Sequence, residues 1–408
     1  MSELRQMLKL RWGGMTADAR IAPSPIEHRA SSFEHLGSSN QHRGASRPAR
    51  RGVTLVELLI TMTIMAIIAA AILGTAAAAI EGAREKKTQS LITKLHTLLM
   101  ERYASYETRR IDVAPAIIQE IDKWVAQAPT PADFKVRSTA RGQMLADARL
   151  LGVRELMKKE MPDCWEDVKY VPAVLSQAPP LAQTYFRRYQ QLPSQPTLSS
   201  AESAECLYLV IINATGDGEA RTLFSKQDIG DTDEDGAPEF IDGWGNPIGW
   251  MRWAPGVTSD LQPRNPDGTR PGEVDHDPFD LFRRDSPTVT APQLDWYPNV
   301  KANPSSALTF RQVYEMNMRL RMQRALGANM THQTAYRLTP LVYSAGPDGE
   351  SKLLIIDYSA SNANQIPRLD PYVAASDQSY ADGTQPGTPD PDNLAATKDN
   401  ITNHLIEY

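Results

Sequence analysis

The chain has 408 residues, 41% of them hydrophobic, with 30 prolines and 24 glycines, enough for more than one compact unit and for long proline-bounded loops. Its net charge of −6 is unevenly placed: the first 52 residues hold nine basic and four acidic side chains, leaving 34 basic against 45 acidic groups in the remainder, a net −11. An acidic body argues against nucleic acid as the main ligand.

In chain order, residues 1–52 are rich in Ser, Gly, Pro, His and Arg and show no apolar periodicity, which predicts a basic, unstructured leader. From Leu58 to Ile80 runs a stretch of 23 residues without a charge. As a helix it measures roughly 35 Å, against about 30 Å for the hydrocarbon core of a bilayer. A secretory signal has a shorter apolar region, usually about 7–15 residues, and a cleavage site on its far side. Arg47, Arg50 and Arg51 precede the span with no acid after Glu34, so the positive-inside rule keeps this end cytoplasmic and sends the rest outward. Glu57 stands at the edge of the span, where an ionisable group is costly and implies a partner.

Gly52-Val53-Thr54-Leu55-Val56-Glu57 resembles the prepilin cleavage and methylation motif of type IV pilins and type II secretion pseudopilins. The resemblance implies that a prepilin peptidase removes residues 1–52 by cutting after Gly52 and that the new amine, on Val53, is methylated. It also implies that Glu57 meets the Val53 amine of a neighbouring subunit during assembly. Expected partners are then other pseudopilin subunits and an inner-membrane assembly platform with its ATPase. The chain departs from the family at Val53, where Phe is usual, at Val56, where Ile is frequent, and at Gly74, where many pilins have proline.

Beyond the span, Leu91, Leu95, Leu98 and Leu99 keep a helical period, which extends the predicted spine, residues 53–108, to about Tyr106 and lays those leucines on a soluble domain. Residues 109–200 stay helical in pattern and read as a helical insertion: Ile117, Ile118, Ile121 and Val125 form one stripe, and Leu150, Val153, Met157 and Met161 another, stopped by Pro162. Lys158, Lys159, Arg187 and Arg188 are expected on solvated faces. Residues 201–408 form the outer domain. In it Cys206–Ile212 reads as a buried strand, Ile248–Trp253 as a second, and Leu341–Tyr343 with Leu353–Ile356 as a hairpin. A helix is expected over Thr309–Leu326, after a Pro/Asp/Gly-rich connection from Gly256 to Asn303. Cys164 and Cys206 could pair in an oxidising compartment or remain buried thiols.

The strongest chemical pattern is Asp231-Thr232-Asp233-Glu234-Asp235-Gly236, continued by Glu239 and Asp242 at loop positions nine and twelve. Hard oxygen ligands at this spacing suit calcium, with the glycine permitting a sharp turn. Asp242 replaces the bidentate glutamate of an EF-hand and no flanking helices are evident, so the segment is closer to dockerin-like and thrombospondin-like loops. Magnesium, which prefers smaller octahedral sites, suits it less. Downstream, Asp242-Gly243-Trp244-Gly245-Asn246-Pro247 resembles the D-P-W-G-N-P segment of the major type II pseudopilin, and Ser344-Ala345-Gly346-Pro347-Asp348-Gly349 its S-x-G-x-D-G turn. By that resemblance Asp348 and Asp399 are candidate ligands of a second, structural calcium.

There is no G-x-S-x-G, H-E-x-x-H or phosphate loop, and the seven histidines never cluster. Asp275-His276-Asp277 could ligate a transition metal but reads more simply as a solvated loop, and His404 shows no partner. The expectation is therefore an α+β, pilin-like protein that is not an enzyme: a long membrane-spanning helix on a small antiparallel sheet domain. Its expected place is single-pass in the inner membrane with the C-terminal domain periplasmic. Two roles stay open, a calcium-stabilised subunit of a type II secretion pseudopilus and a minor type IV pilus subunit with a calcium-dependent surface-binding or DNA-uptake role.

Overall fold

The computed structural model describes residues 52–193, 201–214, 222–266, 271–272, 274–285, 335–355, 369–372, 384–394 and 396–405. The leader up to Arg51 and the helix expected over Thr309–Leu326 lie outside them. Helix α1 runs over Leu55–Ser105, one residue short of the expected end. Its sequence is Ala-, Leu- and Ile-rich and free of proline, and Gly74, weak as a helix former, does not interrupt it. The boundary between two compact units falls inside α1, after Ala66. The most apolar window of the helix, of mean hydropathy 2.5, has no buried residue and is long enough to cross a membrane.

From Thr88 onward α1 becomes amphipathic. Thr88, Leu91, Ile92, Leu95, Leu99 and Tyr103 are buried at spacings of three and four, the stripe expected of a helix with one face on a core. Each fully buried aliphatic side chain contributes roughly 1.5–3 kcal/mol. Helices α2 (Pro115–Ala126) and α3 (Pro131–Glu160) both begin on proline, whose fixed φ and missing N–H suit a first turn. In α3 the Thr130 hydroxyl caps the Asp133 N–H, and Pro162 follows the end. Helix α2 buries Ile117, Ile121 and Val125, as its periodicity predicts. Two further helices follow, α4 (Trp165–Lys169) and α5 (Pro180–Gln191). The segment from residue 109 to 193 is not peripheral: Val153, Leu156, Met157 and Met161 share one apolar cluster with Leu91, Leu95 and Trp250.

Two expected strand assignments are corrected. Cys206–Ile212 lies within helix α6 (Glu202–Ala214), not in a strand. Its apolar run is buried on nearly every side, so neither a two-residue nor a 3.6-residue period shows, and length alone cannot separate the two forms. The acids Glu202 and Glu205 occupy the first turn, where the helix dipole favours them.

The second correction concerns the hairpin. Strand β4 (Leu341–Ser344) is central in an antiparallel sheet between β3 (Gly249–Met251) and β5 (Ile401–Thr402), while Leu353 bridges to Pro389. Trp250 faces Val342 and Tyr343 faces Thr402 across the sheet. A buried strand takes its partners from whichever segments complete the core, and the Tyr343 ring packs where a Cβ on Gly249 would sit, 2.6 Å from Tyr343 Cζ. A smaller two-stranded ribbon, β1 (Ile229–Gly230) with β2 (Glu239–Phe240), closes the two ends of the acidic loop.

Candidate functional site

At the N-terminal end, Gly52, Val53 and Thr54 precede α1, and the Glu57 N–H donates to the Thr54 hydroxyl at 3.2 Å. This caps the helix and places the Glu57 carboxylate in the first turn, with the dipole in its favour. A Cβ on Gly52 would meet nothing within 4 Å, and Val53 and Val56 are exposed. The segment is therefore an open helix start carrying one acid within an apolar surface.

Three short turns far apart in sequence meet beside the spine. In the first, the Asp242 Oδ1 accepts N–H bonds from Trp244, Gly245 and Asn246 at 2.8–2.9 Å, and its Oδ2 accepts the Ser344 hydroxyl at 2.6 Å. Asn246 Nδ2 donates to the Gly346 carbonyl at 2.8 Å, tying the first turn to the second. Gly346 in turn lies against the Asp399 backbone so closely that a Cβ there would be 2.6 Å from the Asp399 carbonyl oxygen. The first turn also docks on α1: the Gly243 N–H donates to the Thr88 hydroxyl at 2.9 Å and Trp244 Nε1 to Glu81 at 2.7 Å. Of the second-site candidates, Asp399 therefore lies against Gly346, two residues before Asp348. Asp348 accepts the Glu350 N–H, while Asp399 Oδ1 is buried without a partner among the described residues.

The acidic loop between β1 and β2 has the backbone its glycine predicts, with Gly236 at φ +93° and Glu234 at +59°. Asp231 accepts the Gly236 N–H at 3.1 Å and Asp235 the Ala237 N–H at 2.7 Å. Asp233 and Asp235 converge with Glu205 of α6, the ligand oxygens all lying within 4.8 Å of one another. Asp242 points instead into its own turn, and Glu239, fully buried, holds the Thr232 N–H. Glu205 carries no ligand signal in the sequence, since it stands alone before the apolar run Cys206–Ile212 and 26 residues ahead of the acidic loop. Burial, followed by the charges of Asp235, Asp233 and Glu239, pushes its carboxyl up to about 8, although the Trp165 indole N–H draws it down. Burial also raises Glu239, aided by Asp231 and Asp233. So many carboxylates oppose one another unless protons or a cation intervene.

Lys158 and Lys159 are a correction: both are buried, not solvated. Lys158 pairs with Asp167 at 2.7 Å, and Lys159 donates to the carbonyls of Asp167, Val168 and Tyr170 at 2.7–2.9 Å. Burial pushes the Lys159 ammonium down to about 8. Arg252 of the loop after β3 joins Asp167 at 2.8 Å and Asp163 at 3.2 Å, so the Asp163, Cys164 and Asp167 cluster is already neutralised by side chains. Arg187 and Arg188 are exposed, as expected. Cys164 and Cys206 are free and buried, with burial raising both thiols well above their ordinary value. Asp277, expected in a solvated loop, is buried against Arg154 at 3.1 Å, and His404 Nδ1 meets the Ser259 hydroxyl at 2.8 Å. The solvated reading of Asp277 fails, and the partner of His404 was not visible, because Arg154 and Ser259 lie more than a hundred positions away.

Residues 47–73 match the prokaryotic N-terminal methylation motif. No curated protein and no solved structure matches the chain.

Proposed function

We propose that this type IV pilin-like precursor is a structural subunit of a type II secretion pseudopilus. A prepilin peptidase cuts after Gly52, the Val53 amine is methylated, and the helix from Leu55 anchors the subunit in the inner membrane with the remainder periplasmic. Assembly then runs through that helix, Glu57 meeting the Val53 amine of a neighbour, and draws on other pseudopilin subunits, an assembly platform and an ATPase.

One observation carries the reading: the matched motif leads directly into a helix whose most apolar stretch is fully exposed and whose first turn holds an acid, Glu57. The meeting of the Asp242–Asn246, Ser344–Gly349 and Asp399 turns supports the secretion branch, since these turns carry the likeness to the major pseudopilin. Calcium belongs to this proposal as the counter-charge for Asp233 and Asp235, with a second site at Asp348 and Asp399.

A minor type IV pilus subunit, with a surface-binding or DNA-uptake role, is the competing role. It is favoured by the bulk of α2 to α5, which a tightly wound filament must clear. Mass spectrometry of the chain recovered from membranes tests the processing: the mature N-terminus is expected to be methylated Val53, and a product beginning beyond Ile80 would overturn it. Deletion of the protein separates the roles, loss of secreted cargo supporting the pseudopilus and loss of twitching or DNA uptake the pilus.

A further inference from the structure

We propose that Glu205, on the core helix α6, is a ligand of the divalent cation held by Asp233 and Asp235, so that the ion fastens the acidic loop to the helix; this rests on the calcium reading of that loop. A cluster of surface acids alone would not carry the assignment. The added observation is the state of the buried carboxylates. Glu205 is 1% exposed; its Oε2 accepts the Trp165 indole N–H, while its Oε1 is buried with no hydrogen-bond partner among the described residues. Glu239, 0% exposed, repeats the pattern beside it: one oxygen holds the Thr232 N–H and Oε2 has no partner among the described residues.

A buried carboxylate oxygen without a donor is costly, and two at one place mark a missing positive partner. Glu205, Asp233 and Asp235 each offer an oxygen within 4.8 Å of the others. Oxygens about 2.3–2.6 Å from a single calcium lie within twice that distance of one another, so one ion can reach all three. The donors are all carboxylates, which selects a hard cation over the softer metals.

The ligand set therefore differs from the linear pattern of the loop. Asp242, at loop position twelve, is occupied by four protein donors, and Glu205 supplies the distant carboxylate in its place. In the D-x-D-x-D-G pattern the last ligand closes the loop on itself; here it lies on α6, some 26 residues before the loop begins. Cation binding then orders the β1–β2 ribbon against the core instead of only within itself.

The test is calcium titration of the full chain in detergent, by calorimetry and thermal melting, for the wild type, Glu205→Gln and the double variant Asp233→Asn with Asp235→Asn. Wild type is expected to bind in the millimolar to sub-millimolar range of extracellular sites. Glu205→Gln is expected to weaken binding at least as much as loss of an outer-shell partner does, roughly tenfold, while melting no lower than wild type in chelator. Wild-type affinity in a folded Glu205→Gln would overturn the role of Glu205 and leave the loop site standing. No calcium response in the wild type, or an unaltered response in the double variant, would overturn the loop reading itself. Should Glu205→Gln fail to fold, a structure of the wild-type chain determined with calcium decides: an ion about 2.3–2.6 Å from Glu205 Oε1 supports the assignment, and an ion held by the loop without Glu205 overturns it.

Discussion

Asp167 shows how much of the interior is ionic. Its carboxylate lies between Lys158 at 2.7 Å and Arg252 at 2.8 Å, and all three side chains are buried. Burial pushes this carboxyl up, but Lys158 and Arg252 together pull it further down, so its net position is below the ordinary aspartate value. A carboxyl held low in the folded state stabilises above its unfolded pKa of about 3.8 and loses that contribution as pH falls through the folded value. Asp167→Asn removes the charge and leaves two buried cations short of a partner. The expected cost at pH 7 is about 3–5 kcal/mol, and the gap from wild type should close as pH is lowered below about 4. Denaturant melts of both chains across pH measure this; a wild-type stability for the variant at pH 7 would show that Asp163 alone satisfies Arg252. Lys159 differs in kind, being satisfied by three backbone carbonyls at the end of α4.

The spine helix and the Asp242–Pro247 turn meet through a glycine. Gly243 approaches α1 so closely that a Cβ would stand 2.5 Å from the Arg84 carbonyl oxygen and 2.8 Å from Arg84 Cα. Both atoms are backbone, so neither can rotate away. Gly243→Ala is therefore expected to destabilise by about 1–3 kcal/mol, the range for forced overpacking, and to weaken the Gly243 bond to Thr88. The measurement is the melting temperature of the full chain in detergent, with Gly245→Ala as a contrast. A Cβ on Gly245 meets no atom within 4 Å, but its φ of +96° strains any other residue. Loss at Gly243 thus reports on docking to the helix, and loss at Gly245 on the turn alone. The sheet shows the same reliance on distant segments: β4 finds β3 some ninety residues earlier and β5 nearly sixty later.

For the whole molecule, the exposed apolar surface of α1 cannot remain in water, and its length suits a bilayer. Glu57 is the one acid within the first 26 residues of that helix. If its role is to meet a neighbour's amine, Glu57→Ala should leave membrane insertion and cleavage after Gly52 unchanged while reducing incorporation into filaments several-fold. Quantifying the mutant in sheared filaments against the membrane fraction checks this, and full incorporation would remove the assembly role. The substitution also deletes an acid from a helix start, a loss of about 0.3–1 kcal/mol, too small to explain a failure of insertion.

The N-terminal region of the protein was legible in the sequence because it depends on local quantities. A charge-free run from Leu58 to Ile80 must be long and apolar whatever follows it, and Gly52 to Glu57 carries its chemistry in six consecutive residues. The same holds for α2 and α3, whose stripes and prolines are local signals, and for the turn at Gly236, which needs only a residue tolerant of positive φ. Only the tertiary structure decided that Cys206–Ile212 is helical, that Leu341–Ser344 is a central strand, and that Lys158 and Lys159 are buried. The helix and the strand depend on partners far along the chain, since an all-apolar run has no period to read and a buried strand has no local pairing signal, whereas Lys158 and Lys159 are buried by partners only eight to eleven positions on, the Asp167 carboxylate and the carbonyls of Asp167, Val168 and Tyr170. Glu205 belongs with them, because nothing in its own neighbourhood announces the two aspartates that folding sets beside it.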